Sequence, residues 1–175
     1  RVGGDSNAVY ILDGELEQVG AIEGLAKDER IYSARFMGDT AYFVTFRETD
    51  PLFSADLSNP KKPKIVGELK IPGFSEYLHF YGEDRLLGIG MNVDEETLVT
   101  DGVKLTMFDI SDKTDVKESD THVLNNVYST EVSYDYKAAL ISPERNIIGF
   151  PGDSEGGQKY FLFEYDEDNG FICNM

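Results

Sequence analysis

The chain has few of the residues that mark several common protein classes. One of its 175 residues is cysteine, Cys173, so an internal disulfide is excluded and we expect a buried, unreactive thiol. No apolar run approaches the length of about 18 residues that a transmembrane helix needs, so we predict no membrane span. Tryptophan is absent, but 11 Phe and 10 Tyr favour sheet over helix.

Basic residues are also scarce. The chain has 16 Lys and Arg against 33 Asp and Glu, which gives a formal net charge of −17. Such a surface repels nucleic-acid phosphates and anionic lipids, so we expect no nucleic-acid partner. It attracts cationic ligands, divalent ions or basic partner surfaces, although acidity also serves simply to keep a protein soluble.

A pattern of short strands returns along the chain at intervals of about 40 to 55 residues. Each complete unit opens with an aromatic residue followed by serine, at Tyr32-Ser33, Phe74-Ser75 and Tyr128-Ser129. Each unit also contains an apolar strand that ends in an acid and a turn, and these acids are Asp13, Asp56, Asp109 and Glu164. With two further apolar segments, the pattern predicts four strands per unit.

Repeats of this length with four strands each predict a β-propeller built from four-stranded antiparallel blades. We predict one all-β domain over residues 1–175, with a half blade over 1–30 and blades over 31–73, 74–126 and 127–175. A partial propeller of about three and a half blades leaves two sheet faces uncovered. The chain is then part of a longer propeller, one of two copies paired as a homodimer through these faces, or an arc capped by exchanged strands.

The first strand of each blade in a propeller faces the central channel, where ligands usually bind. We predict the first strand of the last blade over residues 130–134. Aligning the three serines places Arg35, Tyr77 and Glu131 at equivalent positions of these strands, with His79 two residues further on. This cluster at the channel mouth is our candidate ligand-binding site. The alternative is that the four side chains bond to neighbouring blades and water.

Signals for metal or cofactor chemistry are weak in this sequence. Asp166 and Asp168 alternate before Gly170, as at the start of a calcium loop, but a hairpin turn explains them better. No nucleophile elbow, phosphate-binding loop or dinucleotide-binding glycine pattern occurs, so no catalytic residue and no cofactor is assigned. Gly88 and Gly90 lie within a predicted strand and indicate close backbone packing.

Three segments of the chain carry a resemblance to a known family: residues 32–39, residues 56–73 and residues 108–112. With them, the chain resembles a family of secreted bacterial proteins that have a C-terminal β-propeller domain distantly related to WD-40 repeats. The function of that family is unassigned, and no catalytic residue is carried over from it. The resemblance implies a propeller, export from a bacterial cell and residence at the cell surface.

Two functions are compatible with these features. The first is a noncatalytic binding or scaffolding domain of a secreted or cell-surface protein, with a protein or a glycan as its partner. The second is an enzyme, a hydrolase or lyase, whose active site is assembled at the channel from the four candidate residues. The absence of a catalytic motif favours the first.

Overall fold

The computed structural model describes residues 6–46, 50–94, 96–97 and 99–174, and it consists of antiparallel β-sheets. The predicted domain of residues 1–175 also includes residues that lie outside these ranges. The first sheet is a hairpin of two strands, β1 (Asn7–Leu12) and β2 (Gln18–Leu25). Asp13 follows β1 and accepts hydrogen bonds from the backbone N–H groups of Glu15 and Glu17, which fixes the turn between the strands.

The second and third sheets each contain four antiparallel strands in chain order. The strands of the second sheet are β3 (Arg30–Met37), β4 (Thr40–Phe46), β5 (Asp50–Asp56) and β6 (Lys64–Ile71). Those of the third sheet are β7 (Phe74–Phe80), β8 (Arg85–Val93), β9 (Thr100–Asp109) and β10 (Lys117–Leu124). The prediction of an all-β propeller arc with four-stranded antiparallel blades is therefore confirmed.

The fourth sheet has an interrupted inner strand. Its strands are β11 (Val127–Thr130), β12 (Leu140–Ser142), β13 (Ile147–Ser154), β14 (Gly157–Asp166) and β15 (Gly170–Cys173). Both β11 and β12 pair with β13, so they are two pieces of one inner strand, separated by residues 131–139. We call residues 131–139 the excursion.

The excursion forms two 3₁₀ turns, Glu131–Ser133 and Tyr136–Ala138, so the predicted strand over residues 130–134 is wrong beyond its first residue. Side chains at the start of each turn explain the difference. The Thr130 hydroxyl accepts a hydrogen bond from the Val132 N–H, and the Asp135 carboxylate accepts one from the Lys137 N–H. Such caps favour a turn over an extended chain.

The sheets pack face to face through three clusters of buried apolar side chains. Leu25 and Phe43 belong to the cluster between the first and second sheets, and Tyr42 and Phe108 to the cluster between the second and third. The largest cluster joins the third and fourth sheets and includes Phe150, which is fully buried. The stacked sheets bring their inner strands, β3 and β7, into contact along the concave side of the arc.

The outer face of the fourth sheet is apolar and exposed. Leu140, Tyr160, Leu162 and Ile172 all lie there with at least 38% of their surface exposed. Cys173 is exposed as well, so the expectation of a buried thiol is wrong. The reason is its position, because it is the last residue of β15, which is the outermost strand of this sheet.

In each sheet, the acid at the turn before the outermost strand has the same structural role. Asp13, Asp56, Asp109 and Asp166 each accept a hydrogen bond from the backbone N–H two residues further on. The fourth acid of the repeat is thus Asp166, and the assignment of Glu164 is wrong, because β14 continues two residues beyond it. Each carboxylate stabilises the turn that leads to the outermost strand.

We expect these turn acids to make the fold sensitive to acid. Hydrogen bonds from the Ser58 hydroxyl and N–H, with Lys113 nearby, lower the pKa of Asp56 to about 2. Since this pKa lies below the unfolded value of about 3.9, the carboxylate stabilises the fold above about pH 4, and that stabilisation is lost as the pH falls toward about 2. Asp56→Asn keeps an acceptor oxygen but does not titrate.

Urea unfolding of the parent and of Asp56→Asn at about pH 6 and about pH 3 checks this expectation. The parent should lose more unfolding free energy between the two pH values than the variant does. Equal losses would contradict a stabilising role for the Asp56 carboxylate.

Candidate functional site

A cleft opens on the concave side of the arc, between the inner strands β3 and β7 and the excursion of the fourth sheet. Its volume is about 230 Å³. The lining includes four tyrosines and four other polar side chains, namely Tyr32, Tyr77, Tyr134, Tyr136, Ser33, Arg35, Glu76 and Ser133. We call it the inner cleft.

Irregularities in successive inner strands build the inner cleft. The β3–β4 pairing shifts register between Ile31 and Ser33, so that Tyr32 is an extra, bulged residue. The β7–β8 pairing shifts between Ser75 and Tyr77, and Glu76 is the extra residue there. In the fourth sheet the excursion interrupts the inner strand. Bulges re-aim side chains, so three neighbouring sheets each direct residues into the same space.

The strand pairing also fixes which residues of the two bulged strands are equivalent. When residue pairs are counted from the acids that end β5 and β9, Ser33 is equivalent to Tyr77, and Arg35 to His79. The predicted equivalence of Arg35 with Tyr77 is therefore wrong by two residues. The serines misled the alignment because Ser33 follows its bulge whereas Ser75 precedes its own.

Three of the four predicted site residues lie in contact with one another. The Arg35 guanidinium lies 4.8 Å from the centre of the Tyr77 ring, and the Tyr77 hydroxyl shares a 2.8 Å hydrogen bond with His79 Nδ1. Burial, and to a lesser degree the charge of Arg35, lower the pKa of His79. The imidazole is therefore neutral at physiological pH, and Arg35 is the cation of this group.

Among the described residues, Glu131, the fourth predicted residue, shares no hydrogen bond, ion pair or ring contact with the other three. It is the first residue of a 3₁₀ turn, and its carboxylate accepts a 2.9 Å hydrogen bond from the Gln158 side chain. Glu76 takes its place as the acid of the inner cleft. The Glu76 side chain is half-buried, and burial raises its pKa.

Exposed aromatic side chains form the rim of the inner cleft. Tyr134 and Tyr136, both on the excursion, have 80% and 64% of their surface exposed, and Tyr32 has 41%. Residue-by-residue alignment of the repeats missed the two excursion tyrosines because they have no equivalent in the other sheets. The signal that would have found them is the pair of tyrosines flanking Asp135, in a segment with no alternation of apolar residues.

The predicted calcium candidates, Asp166 and Asp168, lie in a hairpin turn away from the inner cleft. Asp166 Oδ1 accepts hydrogen bonds from the backbone N–H groups of Asp168 and Asn169 and from the Asn169 amide. These bonds, with the Asn169 side chain contributing most, lower the Asp166 pKa. Within the described residues, no three His, Cys, Asp or Glu side chains are grouped so that they could hold a metal ion.

Four-stranded antiparallel sheets that pack face to face in series, with a cleft along their inner strands, define a β-propeller arc. The chain belongs to the beta propeller domain family, whose family model matches residues 2–174. No helix within the described ranges is long and apolar enough to cross a membrane.

Two archaeal relatives are similar to nearly the whole chain. It is 48% identical to an uncharacterised protein of Archaeoglobus fulgidus over 163 residues, which are 93% of this chain and 24% of that protein. It is 47% identical to an uncharacterised protein of Methanocaldococcus jannaschii over 146 residues, which are 83% of this chain and 22% of that protein. The chain thus spans about a quarter of the length of these relatives.

Proposed function

We propose that the chain is a noncatalytic binding domain and that its ligand site is the inner cleft. One observation carries the proposal: the same point of three successive inner strands is modified, by the bulged residues Tyr32 and Glu76 and by the excursion, and all three modifications face one space. Irregular segments held by a rigid scaffold are where binding residues concentrate.

The composition of the rim supports binding to a partner molecule. Tyrosine offers a large, rigid contact surface with a polar end, and it loses little conformational entropy when it is fixed by a ligand. Tyr134 and Tyr136 project from the excursion with most of their surface free. A protein segment or a glycan is therefore the expected class of partner.

The contacts of the predicted catalytic candidates favour binding over the alternative hydrolase or lyase function. An acid–base mechanism needs a carboxylate placed to orient or assist the histidine. In the described part of the chain, the hydrogen-bond partner of His79 is Tyr77, and Glu131 is bonded to Gln158. Arg35 packs over the Tyr77 ring, as a structural cation does.

Export, a cell-surface location, a bacterial source and a relation to WD-40 repeats are part of this proposal, and the sequence resemblance supports them. Cell fractionation of a native host with an antibody against the chain would test the location. Pairing of two copies through the uncovered sheet faces of the arc also stays a prediction, which solution mass by light scattering would test.

The binding proposal predicts that the double substitution Tyr134→Ala and Tyr136→Ala removes binding without unfolding the chain. Both side chains are exposed, so their removal should change the melting temperature little. The purified chain would be applied to glycan and peptide arrays, and signals present with the parent should fall at least tenfold with the double variant.

The matched control is Tyr10→Ala, because Tyr10 has 53% of its surface exposed but lies on β1, in the first sheet. This control should keep the array signals of the parent. Signals that survive the loss of both excursion tyrosines, or an array on which the parent binds nothing, would contradict the proposal.

A further inference from the structure

Among the residues that the structure describes, the acid of the inner cleft has no partner of opposite charge. The Glu76 carboxyl is half-buried, and burial raises its pKa. No ion pair or side-chain hydrogen bond to Glu76 is found among the residues that the structure describes. A carboxylate that is partly desolvated and has no cation as a partner binds an added cation more strongly than a fully solvated carboxylate does.

The rim of the inner cleft near Tyr134 is acidic. Desolvation and the charges of Glu131, Asp153 and Asp135 raise the pKa of the Tyr134 hydroxyl, so three carboxylates act on this rim. The basic side chain of the excursion is Lys137. Together with Glu76, the carboxylates outnumber the cations around the inner cleft. The net charge of −17 also gives the chain as a whole a negative electrostatic potential, which attracts cations.

The aromatic rings of the inner cleft already bind cations of the chain itself. Arg35 lies 4.8 Å from the Tyr77 ring centre, and Lys137 Nζ lies 5.9 Å from that of Tyr136. Both distances are within the range at which a cation is attracted to the face of an aromatic ring. The exposed ring of Tyr134 offers a further surface of the same kind.

We propose that the inner cleft binds an organic cation, an ammonium or guanidinium group on an alkyl chain, with Glu76 as its counter-ion and the tyrosines of the excursion around its stem. This inference rests on the proposed function, because it names the ligand class of the same cleft. Because Arg35 already covers the face of the Tyr77 ring, the charged group of the ligand lies beside Glu76 and Tyr134 instead. A free polyamine and the side chain of a basic peptide both carry this chemistry.

Calorimetric titration with defined probes tests the inference. The probes are spermidine, a short lysine-containing peptide with blocked ends, and maltotriose as a neutral polyhydroxylated ligand. At least one cationic probe should bind, and its affinity should fall at least threefold between about 50 mM and about 300 mM salt, because screening weakens the attraction of charges. Preference for spermidine or for the peptide separates the two sources of the cation.

Glu76→Gln is the decisive variant, since it keeps the size of the side chain and removes the charge. It should weaken binding of the cationic probe at least tenfold. Glu15→Gln removes one charge from the exposed turn after β1 and should leave the affinity within twofold of the parent. Thermal melts of both variants should match the parent, because Glu76→Gln replaces a partly desolvated carboxyl by a neutral amide.

The outcomes separate this inference from the proposed function. Binding of maltotriose with no effect of Glu76→Gln or salt would overturn the organic cation while leaving a binding cleft in place. Equal affinity of the Glu76→Gln and Glu15→Gln variants for the cationic probe would overturn the role of Glu76. Failure of every probe to bind the parent would overturn the inference, and a blank array in addition would overturn the proposed function.

Discussion

Phe150→Ala should cost about 4 kcal/mol of unfolding free energy, the largest loss that we expect from a single side chain. Phe150 is fully buried on β13, and its ring is stacked on that of Phe163, with centroids 6.0 Å apart and planes 5° from parallel. It also lies in the cluster that joins the third and fourth sheets, together with Leu105 and Met107. Paired strands on both sides limit how far the cavity can collapse.

Urea unfolding followed by circular dichroism would measure the effect of Phe150→Ala. The control is Phe36→Ala, because Phe36 is 59% exposed and contacts Phe43 edge-on, with ring centroids 5.8 Å apart. The control should lose about 1 kcal/mol. Similar losses for the two variants would mean that the contact between the third and fourth sheets contributes little to stability.

The fold could be predicted from the sequence because each repeat fixes its turns with the same local chemistry. Asp109 illustrates this, since its carboxylate accepts hydrogen bonds from both the N–H and the hydroxyl of Ser111 at the end of an apolar strand. Such bonds need residues that are close in the chain. The last unit was harder to predict because its inner strand is split and Asp166 lies two residues beyond the acid that the spacing indicated.

The candidate site was predicted in part, since Arg35, Tyr77 and His79 lie together and Glu131 does not. All three lie on the inner strands β3 and β7, but the alternation counted from Ser75 crosses the bulge at Glu76 and therefore gives the wrong face for Tyr77 and His79. A bulge changes the face on which later residues lie, and neither its presence nor its position follows from alternation. Glu76, which is itself a bulged residue, was therefore missed.

Gly90→Ala should be the second most damaging substitution, with a loss of about 3 kcal/mol, because it would disturb the β7 bulge. Gly90 pairs with Ser75, directly beside the bulged Glu76. A Cβ atom on Gly90 would overlap the Phe74 carbonyl oxygen and lie 2.8 Å from the Ser75 Cα. Both are backbone atoms, so the strand itself would have to move. The predicted close packing at this glycine is confirmed.

The control for Gly90→Ala is Gly14→Ala, where an added Cβ has no neighbour within 4 Å. That variant should stay within about 0.5 kcal/mol of the parent. Comparable stability of the two variants would mean that β7 shifts easily and that its bulge is not fixed by contact with Gly90.

The position of Gly90 links the stability of the arc to the shape of the inner cleft. Because Gly90 allows β7 to approach β8 closely at Ser75, it sets where the chain turns Glu76 toward the inner cleft. We therefore expect Gly90→Ala to weaken ligand binding even under conditions where the variant remains folded. A variant that is destabilised but binds as the parent does would show that the position of Glu76 is held by other contacts of β7.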